Sequence, residues 1–339
     1  MINKLISSLR MKEVNTTTSI ALSFLIIFST AFLSINNREI NQSTITISKG
    51  MTLNNVIDLL KENDLIVNKN VLKAKIIIRG LASRVPAGTF LIEGKVSDAK
   101  LIDTIFNKGP IKLKLTIPEG TSSTKIFESI NLLLNKDHQF DNFFTKKSIL
   151  NKYNINGDTM EGYLYPNTYY FYHDASTEEI IITFVTQFWK EFDKKLVNRA
   201  NELGLSVHEV VTLASIIEGE AMLDSERATI SSVYHNRLKI NMKLQADPTI
   251  QYIINGPPKT LSTRDLRIKS PYNTYQNYGL PPGPINNPGI ESIKAALYPQ
   301  KTNYLFFVAQ GDGSHTFTTN ENDHEVAKRL YKINKRKKK

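Results

Sequence analysis

The chain has 339 residues, of which 41% are hydrophobic and 22% charged, so it can bury one large core or two smaller ones. It contains no Cys, which excludes disulfides, cysteine-ligated zinc and thiol nucleophiles. The formal net charge of +11 is compatible with an anionic partner, but much of the excess lies in residues 328–339, KRLYKINKRKKK. We interpret residues 331–339 as a solvated basic tail.

An uncharged apolar run, SIALSFLIIFSTAFLSI, spans residues 19–35. A helix through it would be roughly 25 Å long, close to the thickness of the hydrocarbon part of a bilayer. A cleaved signal peptide is the alternative, but the run is long for one and no small-residue cleavage motif follows it. We therefore predict an uncleaved transmembrane anchor over residues 19–36. Cations precede it, so residues 1–18 are expected in the cytoplasm and everything after the anchor outside it.

Strands and short helices alternate after residues 37–44, a polar stretch that we predict to be a linker. A strand at Ile45–Ser48 is followed by a helix that begins at Thr52, and PAGTFLIEG with KLIDTIFNKG repeats this order. IKLKLTIPEGTSSTKIFESINLLL repeats it once more. The pattern is typical of small α+β modules and not of a doubly wound sheet, so the predicted fold class is α+β. The sequence contains no GxGxxG or GxxxxGK[ST] motif, so nothing in it supports a nucleotide cofactor.

The stretch EGYLYPNTYYFY, residues 161–172, contains five Tyr and one Phe. Aromatic residues at this density are typical of a sheet face. They are also found in carbohydrate sites, because a sugar ring stacks its C–H face on an aromatic ring. The pattern leaves both interpretations open. A helix is predicted to follow, from Thr177 towards Asn201.

Two acidic residues, Glu218 and Glu220, end the apolar segment LASIIEGEA. Ser206 and Glu209 form an S-x-x-E capping box that predicts where this helix begins. At about 100° per residue, the two carboxyl groups are separated by about 200° and flank the apolar stripe on opposite edges. They therefore point to different sides and do not act together on one bond. Periodicity does not decide which of them is functional.

Several polar residues further along the chain have a structural and a functional interpretation. Asp247 before Pro248 is typical of a helix start, with Pro at the first helical position. Asn236 and Arg237 fall late on a helix that opens near Ser225, where cations suit the helix dipole. Residues 272–289, YNTYQNYGLPPGPINNPG, are too rich in Pro, Gly and Asn for regular structure and are predicted to form a binding loop.

A β-hairpin is predicted for YLFFVAQGDGSHTFTT, with its turn at Gly311–Gly313. His315 then begins the returning strand. A single His on a hairpin is more often structural than functional.

Four motifs in this order carry a resemblance: LASIIEGEA, SERATISSVYHNRLKINMKLQADPT, YNTYQNYGLPPGPINNPG and SHTF. Together with EGYLYPNTY upstream, they resemble the YceG-like (MltG) family of endolytic murein transglycosylases. The resemblance covers the chain past the predicted anchor. It implies a LysM-like α+β module over residues 45–109 and a larger mixed α+β catalytic domain over residues 110–330.

The resemblance also implies an activity, a site and a location. The activity is cleavage of the β-1,4 bond between N-acetylmuramic acid and N-acetylglucosamine in nascent peptidoglycan strands to give 1,6-anhydro ends, without metal or cofactor. The catalytic acid falls on Glu220, whose carboxyl group would have to be protonated near neutral pH. Gly219 departs from a larger residue in that slot, which would loosen the helix there. Expected neighbours are peptidoglycan strands and the peptidoglycan synthesis machinery, at the outer side of the cytoplasmic membrane. Substrate-binding positions carried over from the motifs are Asn236, Arg237, Gln245, Asp247, Asn273, Tyr275 and His315.

Two rival hypotheses remain at this point. A membrane-anchored glycan-binding scaffold of the same fold, without catalysis, would share every motif. A nucleic-acid binder is indicated only by the net charge, and the sequence has neither a basic recognition helix nor an aromatic-basic strand pattern. We therefore expect no nucleic-acid partner.

Overall fold

The computed structural model describes residues 38–135, 140–254, 256–257 and 259–337. The predicted cytoplasmic segment and the anchor over residues 19–36 lie outside this part. Among the residues described, no helix is both long enough and apolar enough to cross a bilayer. The chain divides into two compact units near the predicted boundary at residue 110: residues up to 113 with 172–174, and residues 114–171 with 175 onwards.

The first unit has the order strand, helix, helix, strand. Strand β1 (Arg38–Ile47) pairs antiparallel with β2 (Gly88–Val96), and helices α1 (Leu53–Glu62) and α2 (Lys69–Ile78) lie between them in the chain. Helix α3 (Asp98–Ile102) and a π-helical segment follow. The helices and strands share one apolar core, so this unit is a small α+β module as predicted. Its identity as a LysM-like module stays a prediction.

Two features of the first unit differ from the elements predicted from the sequence. From residue 38 onwards, the predicted linker 37–44 is the beginning of β1. The register shifts between Ile40 and Ser43, so the irregularity hides the alternation that would have indicated a strand. Helix α2 was not separated in the prediction, since only Leu72 and Ile76 are buried on it.

The second unit begins with a pair of strands and three helices. Strand β3 (Lys112–Thr116) pairs with β4 (Thr168–Tyr172), and the helices between them are α4 (Ser123–Leu134), α5 (Asp141–Phe144) and α6 (Lys147–Lys152). On β4, Tyr169 and Phe171 are buried whereas Tyr170 is 60% exposed. The aromatic stretch is therefore a sheet face in this part.

The helix predicted from Thr177 to Asn201 is two helices, α7 (Thr177–Glu191) and α8 (Lys194–Glu202). Asp193 lies between them, and its carboxylate accepts hydrogen bonds from the N–H groups of Lys195 and Leu196. This cap starts a new helix where the apolar periodicity alone predicts continuation.

Helix α9 (Val207–Glu220) is the central helix of the second unit. It packs against α10 (Arg227–Lys239), α11 (Asp247–Ile254) and α12 (Ile290–Leu297). The predicted capping box is present, with the Ser206 N–H 2.8 Å from Glu209 Oε2. Every residue from 210 to 217 is buried, so the helix is enclosed along its middle and reaches the surface only near its ends.

The chain ends in a hairpin and a helix. Strands β5 (Phe306–Ala309) and β6 (His315–Thr318) pair antiparallel around the predicted turn, so the hairpin prediction is confirmed. Helix α13 (Glu321–Lys337) packs back on both strands. The predicted basic tail, as far as residue 337, is thus the last part of a helix.

Candidate active site

Glu220 is the last residue of α9, and Ala221 after it has an extended backbone. The buried middle of α9 fixes the direction of the helix, so its final carboxyl group is held in place by the core. Its side chain lies at the surface of a cleft and is partly buried. The carbonyl groups at a helix C-terminus carry partial negative charge, which disfavours a second negative charge there.

Three neighbours on α10 and α11 act on this carboxyl group: Tyr234, Arg237 and Asp247. The Tyr234 hydroxyl on α10, which is fully buried, donates to Glu220 Oε1 at 3.0 Å. Burial, and next the negative charge of Asp247, raise the pKa of Glu220 to about 7, while the Tyr234 bond and the Arg237 charge oppose this rise. The raised pKa that the resemblance required is therefore present, and its main cause is desolvation.

Glu218 has a different environment, as the 200° separation predicts. Its side chain is 6% exposed, and Oε1 lies 3.1 Å from the Arg227 guanidinium. Its Oε2 accepts the N–H of Gly289, the residue that precedes α12, at 3.0 Å. Glu218 therefore joins three segments of the fold, and both of its oxygens are occupied by these contacts.

Two cavities meet at Glu220 and Asp247. One has a volume of about 360 Å³ and the other about 470 Å³, and both residues line both of them. The first cavity is also lined by the loop before α4, the start of α11 and the predicted binding loop; its residues include Ser122, Lys125, Tyr252, Ile285 and Asn286. The second is lined by the hairpin and α13; its residues include Arg237, Gln245, Tyr275, His315, His324 and Lys328.

Asp247 and Tyr275 both line the second cavity and contact each other, with the Tyr275 hydroxyl donating to Asp247 Oδ1 at 2.5 Å. Asp247 is exposed and is itself the first residue of α11, so a helix start is present where it was predicted. Gln245 has φ of 47°, in the left-handed region that is uncommon for a residue with a side chain. Its side chain is exposed to the same cavity, and such outliers concentrate at functional sites.

Three other predicted residues hold backbone carbonyl groups. Arg237 donates to the carbonyl oxygens of Leu305 at 2.7 Å and Leu244 at 2.6 Å, although it also lines the second cavity. Asn236 donates to two carbonyls in the segment before β5. Asn273 is fully buried, and its amide donates to two carbonyls at 3.2 and 2.7 Å. These hydrogen bonds hold the backbone segments that form the walls of the cleft.

His315 begins β6 as predicted and lines the second cavity. Its Nδ1 is 2.7 Å from Glu226 Oε2, and its N–H donates to Glu226 Oε1 at 3.0 Å. Glu226 directly precedes α10, so this pair fastens the hairpin to the helix that carries Tyr234.

Sequence reasoning missed Tyr234, Asn286 and His324. Tyr234 lies within the motif YHNRL, but nothing in the periodicity of that helix separates it from a core residue. Asn286 Oδ1 and His324 Nδ1 are buried atoms that have no hydrogen-bond partner within the described part of the chain, and each lines one of the cavities. An unpaired buried polar atom at a cavity wall is a position where a polar ligand group fits.

Gly219 is packed tightly and is not a loosened point of the helix. A Cβ atom added there would lie 2.6 Å from Pro248 Cβ and 2.9 Å from Pro248 Cγ. These distances are too short for a side chain, so only Gly permits α11 to approach α9 this closely. The expectation that Gly219 loosens the helix is therefore wrong: Gly219 allows close packing between α9 and α11.

A buried carboxyl group, Glu161, lies behind the part of the first cavity that is formed by the start of α4. Glu161 accepts the N–H and the hydroxyl of Ser123, each at 3.0 Å, and the amide of Asn287 at 3.0 Å. Burial raises the pKa of Glu161 to about 7. Ser123 is the first residue of α4. These hydrogen bonds therefore hold the start of α4 in place, where Ser122 and Lys125 line the first cavity.

No group of three or more His, Cys, Asp or Glu side chains among the described residues is placed to hold a metal ion. The fold and the site together define an α+β protein with a carboxyl group of raised pKa at the junction of two cavities, an arrangement that suits general acid–base catalysis. Comparisons with known proteins narrow this class to one family.

A model described as the YceG-like family matches residues 45–330. The endolytic murein transglycosylase of Bacillus subtilis (strain 168) is 35% identical over 313 residues, which are 87% of this chain and 86% of that protein. The one from Streptococcus pneumoniae (strain D39) is 27% identical over 280 residues, which are 70% of this chain and 49% of that protein. A crystal structure of a YceG-like protein from Listeria monocytogenes has a TM-score of 0.60 at 30% identity, and the match covers 84% of this chain and 98% of that one. The chain belongs to the YceG-like family, and the resemblance seen in the sequence is confirmed.

Proposed function

We propose that this protein is an endolytic peptidoglycan lytic transglycosylase. It cleaves the β-1,4 bond between N-acetylmuramic acid and N-acetylglucosamine within a glycan strand. The observation that carries the proposal is Glu220: a partly buried carboxyl group with a pKa of about 7, at the junction of two cavities. The names and similarity of the relatives support the same reaction.

The proposed mechanism uses one carboxyl group twice. Protonated Glu220 gives its proton to the glycosidic oxygen as the bond from that oxygen to muramyl C1 breaks. The muramyl C6 hydroxyl then forms a bond to C1 and gives its proton to the Glu220 carboxylate. The products are a 1,6-anhydro end and a free hydroxyl on the leaving sugar. Water is not consumed, and Glu220 returns to its protonated state.

A second carboxylate is not required for this reaction. The substrate's own acetamido group can stabilise the positive charge that develops at C1, as in other substrate-assisted glycosidases. The negative charge of Asp247 raises the pKa of Glu220, and its carboxylate accepts a hydrogen bond from Tyr275. We assign Asp247 to orienting the substrate and maintaining the protonated form of Glu220.

The two cavities support cleavage inside a strand. A glycan that continues in both directions from the cut bond needs space on both sides of the catalytic acid, and Glu220 lines two cavities. We propose that Gln245, Tyr275 and His315 contact sugars in the second cavity. Asn236, Arg237 and Asn273 act by positioning the wall behind them.

We propose that residues 19–36 anchor the chain in the cytoplasmic membrane, with the two described units outside the cytoplasm. The apolar run and its preceding cations support this arrangement. An anchored enzyme reaches strands close to the bilayer, so newly made glycan is the expected substrate and the synthesis machinery the expected neighbour.

Product analysis tests the reaction and the substrate together. The full-length protein is incubated with peptidoglycan, and new ends are identified by mass spectrometry. Ends that carry 1,6-anhydro-muramic acid, absent with Glu220→Gln, support the proposal. Reducing ends would indicate hydrolysis, and binding without any new ends would favour the alternative, a catalytically silent glycan-binding scaffold.

A further inference from the structure

Helix α13 presents an apolar stripe to solvent. Val326, Leu330 and Ile333 are 52%, 55% and 48% exposed, and their spacing of four and three residues places them on one side of the helix. Another side packs on the hairpin, where the His324 ring stacks on Phe306 with 5.0 Å between centroids. The helix is therefore anchored to the fold while about half of each stripe side chain stays exposed; Leu330 also lines a small cavity against the hairpin.

From Val326 onwards, the charged residues of the chain are all basic. Eight of the fourteen residues 326–339 are Lys or Arg, and none is Asp or Glu. Arg329 is exposed at one edge of the stripe. The acidic residues of α13 all precede the stripe; they are Glu321, Asp323 and Glu325. An apolar face combined with a run of cations matches a broad anionic surface with an apolar interior.

We propose that the stripe, Val326, Leu330 and Ile333, docks on the anionic surface of a lipid bilayer. The three apolar side chains enter the region between headgroups and acyl chains, and the Lys and Arg side chains contact lipid phosphates. The helix lies along the surface and does not span it. The inference does not depend on the catalytic assignment, since it concerns only this face of α13.

The docking face is part of the same helix as one wall of the cleft. His324 and Lys328 of α13 line the 470 Å³ cavity that contains Glu220. Docking of the stripe therefore holds this cavity next to the bilayer, independently of any anchor elsewhere in the chain.

The absence of Cys makes a direct test possible in the full-length chain. Ile333→Cys, labelled with an environment-sensitive fluorophore, is compared with labelled Lys332→Cys, since Lys332 is exposed on another side of the helix. Both proteins are reconstituted into phosphatidylcholine vesicles with and without phosphatidylglycerol. With phosphatidylglycerol, we expect the label at 333 to shift to the blue and its quenching by acrylamide to fall severalfold. The label at 332 should change little.

A second substitution separates insertion from charge attraction alone. Leu330→Glu in the Ile333→Cys protein should abolish the shift without lowering the melting temperature, because Leu330 is more than half exposed. A label at 333 that stays equally accessible in both kinds of vesicle overturns the proposal. A blue shift that survives Leu330→Glu also overturns it. A shift that appears without phosphatidylglycerol and grows with protein concentration overturns it too, because it would indicate contact between copies of the chain.

Discussion

At the scale of single residues, the surroundings of Glu218 and Glu220 account for two different roles. Glu218 is ion-paired with Arg227 and holds the Gly289 N–H, so its charge is used in the folded structure. Glu220 accepts one hydroxyl group and is close to a second negative charge, so its proton is retained near neutral pH. A carboxyl group of the second kind is suited to donate a proton.

Substitution of each Glu tests this distinction. A general acid contributes typically 10² to 10⁴ in rate. In the proposed mechanism Glu220 performs both proton transfers, so the rate loss in Glu220→Gln should lie at or beyond the upper end of this range. Glu218→Gln should keep substantial activity per folded molecule but lose about 1–3 kcal/mol of stability, because the buried Arg227 loses one of its two charged partners and keeps only Asp224. The rate of anhydro-product formation and the melting temperature are measured for both. An inactive Glu218→Gln with a Glu220→Gln that keeps more than about a tenth of the rate, a loss under about 1.4 kcal/mol in barrier, contradicts the assignment.

The raised pKa of Glu220 has a measurable effect on stability. Between its ordinary value of 4.5 and about 7, the folded chain holds a proton that the unfolded chain has lost, so the free energy of unfolding falls as pH rises through this interval. Glu220→Gln should therefore be more stable than wild type at pH 8, by about 1–3 kcal/mol, and similar to it at pH 4. Glu161 titrates alike in both proteins and cancels in the difference. Denaturation at the two pH values gives the result; an equal difference at both would contradict it.

Ionisation of Glu220 should also limit activity. The first proton transfer needs the protonated carboxyl group, so kcat/KM is expected to decrease as pH rises above about 7. Lowering this pKa by removing the negative charge at Asp247 should move the decrease to lower pH, which Asp247→Asn tests. An unchanged pH profile in that variant would show that the charge of Asp247 does not raise the pKa of Glu220.

Neighbouring asparagines in the loop before α12 provide a matched pair. Asn286 has an unpaired Oδ1 at the wall of the first cavity, whereas Asn287 bonds to Glu161 and to the N–H of Leu164. In a Glu220→Gln background, Asn286→Leu should weaken glycan binding by about tenfold, the value of one hydrogen bond. It should also lower stability by about 1–3 kcal/mol, because the Asn286 amide donates to the buried Ser215 carbonyl at 2.8 Å. Asn287→Leu should mainly lower the melting temperature. Unaltered glycan affinity in Asn286→Leu would remove Asn286 from the substrate site.

At the scale of elements, the sequence predicted those parts that depend on local signals. The capping box placed α9, the Gly turn placed the hairpin, and the 3.6-residue period separated Glu218 from Glu220. The parts that were missed depend on contacts distant in the chain: the first half of β1 pairs with β2 about fifty residues later, and Tyr234 meets Glu220 from another helix. The choice of Glu220 over Glu218 came from the resemblance, because no local pattern contains the partners of either residue.

The close contact between α9 and α11 is a second prediction at this scale. Gly219→Ala places a methyl group against Pro248 and should push the start of α11, with Asp247, away from Glu220. We expect kcat/KM to decrease and stability to change by at most about 1–3 kcal/mol, since overpacking opposes the higher helix propensity of Ala. The double variant Gly219→Ala, Pro248→Gly removes both clashing atoms and should recover part of the activity. Full activity in Gly219→Ala alone would show that the approach of α11 is not needed.

At the scale of the whole molecule, the predicted N-terminal anchor determines on which side of the membrane the rest of the chain is expected. An anchor that is retained leaves the mature protein with its original N-terminus, and N-terminal sequencing of the membrane-bound form checks this. A mature chain that begins near residue 35 would indicate a cleaved signal peptide. In cells, replacing residues 1–36 by a cleavable signal should reduce action on newly made strands more than action on mature wall.

The junction of two cavities at Glu220 also determines how a population of polymers would shorten. An enzyme that accepts sugars on both sides of the cut bond selects bonds in the interior of a strand, so one event halves a long chain instead of removing a terminal unit. The mean degree of polymerisation then falls steeply while almost no small sugar is released. The viscosity of a solution of long strands should drop early in the reaction, well before soluble disaccharides accumulate.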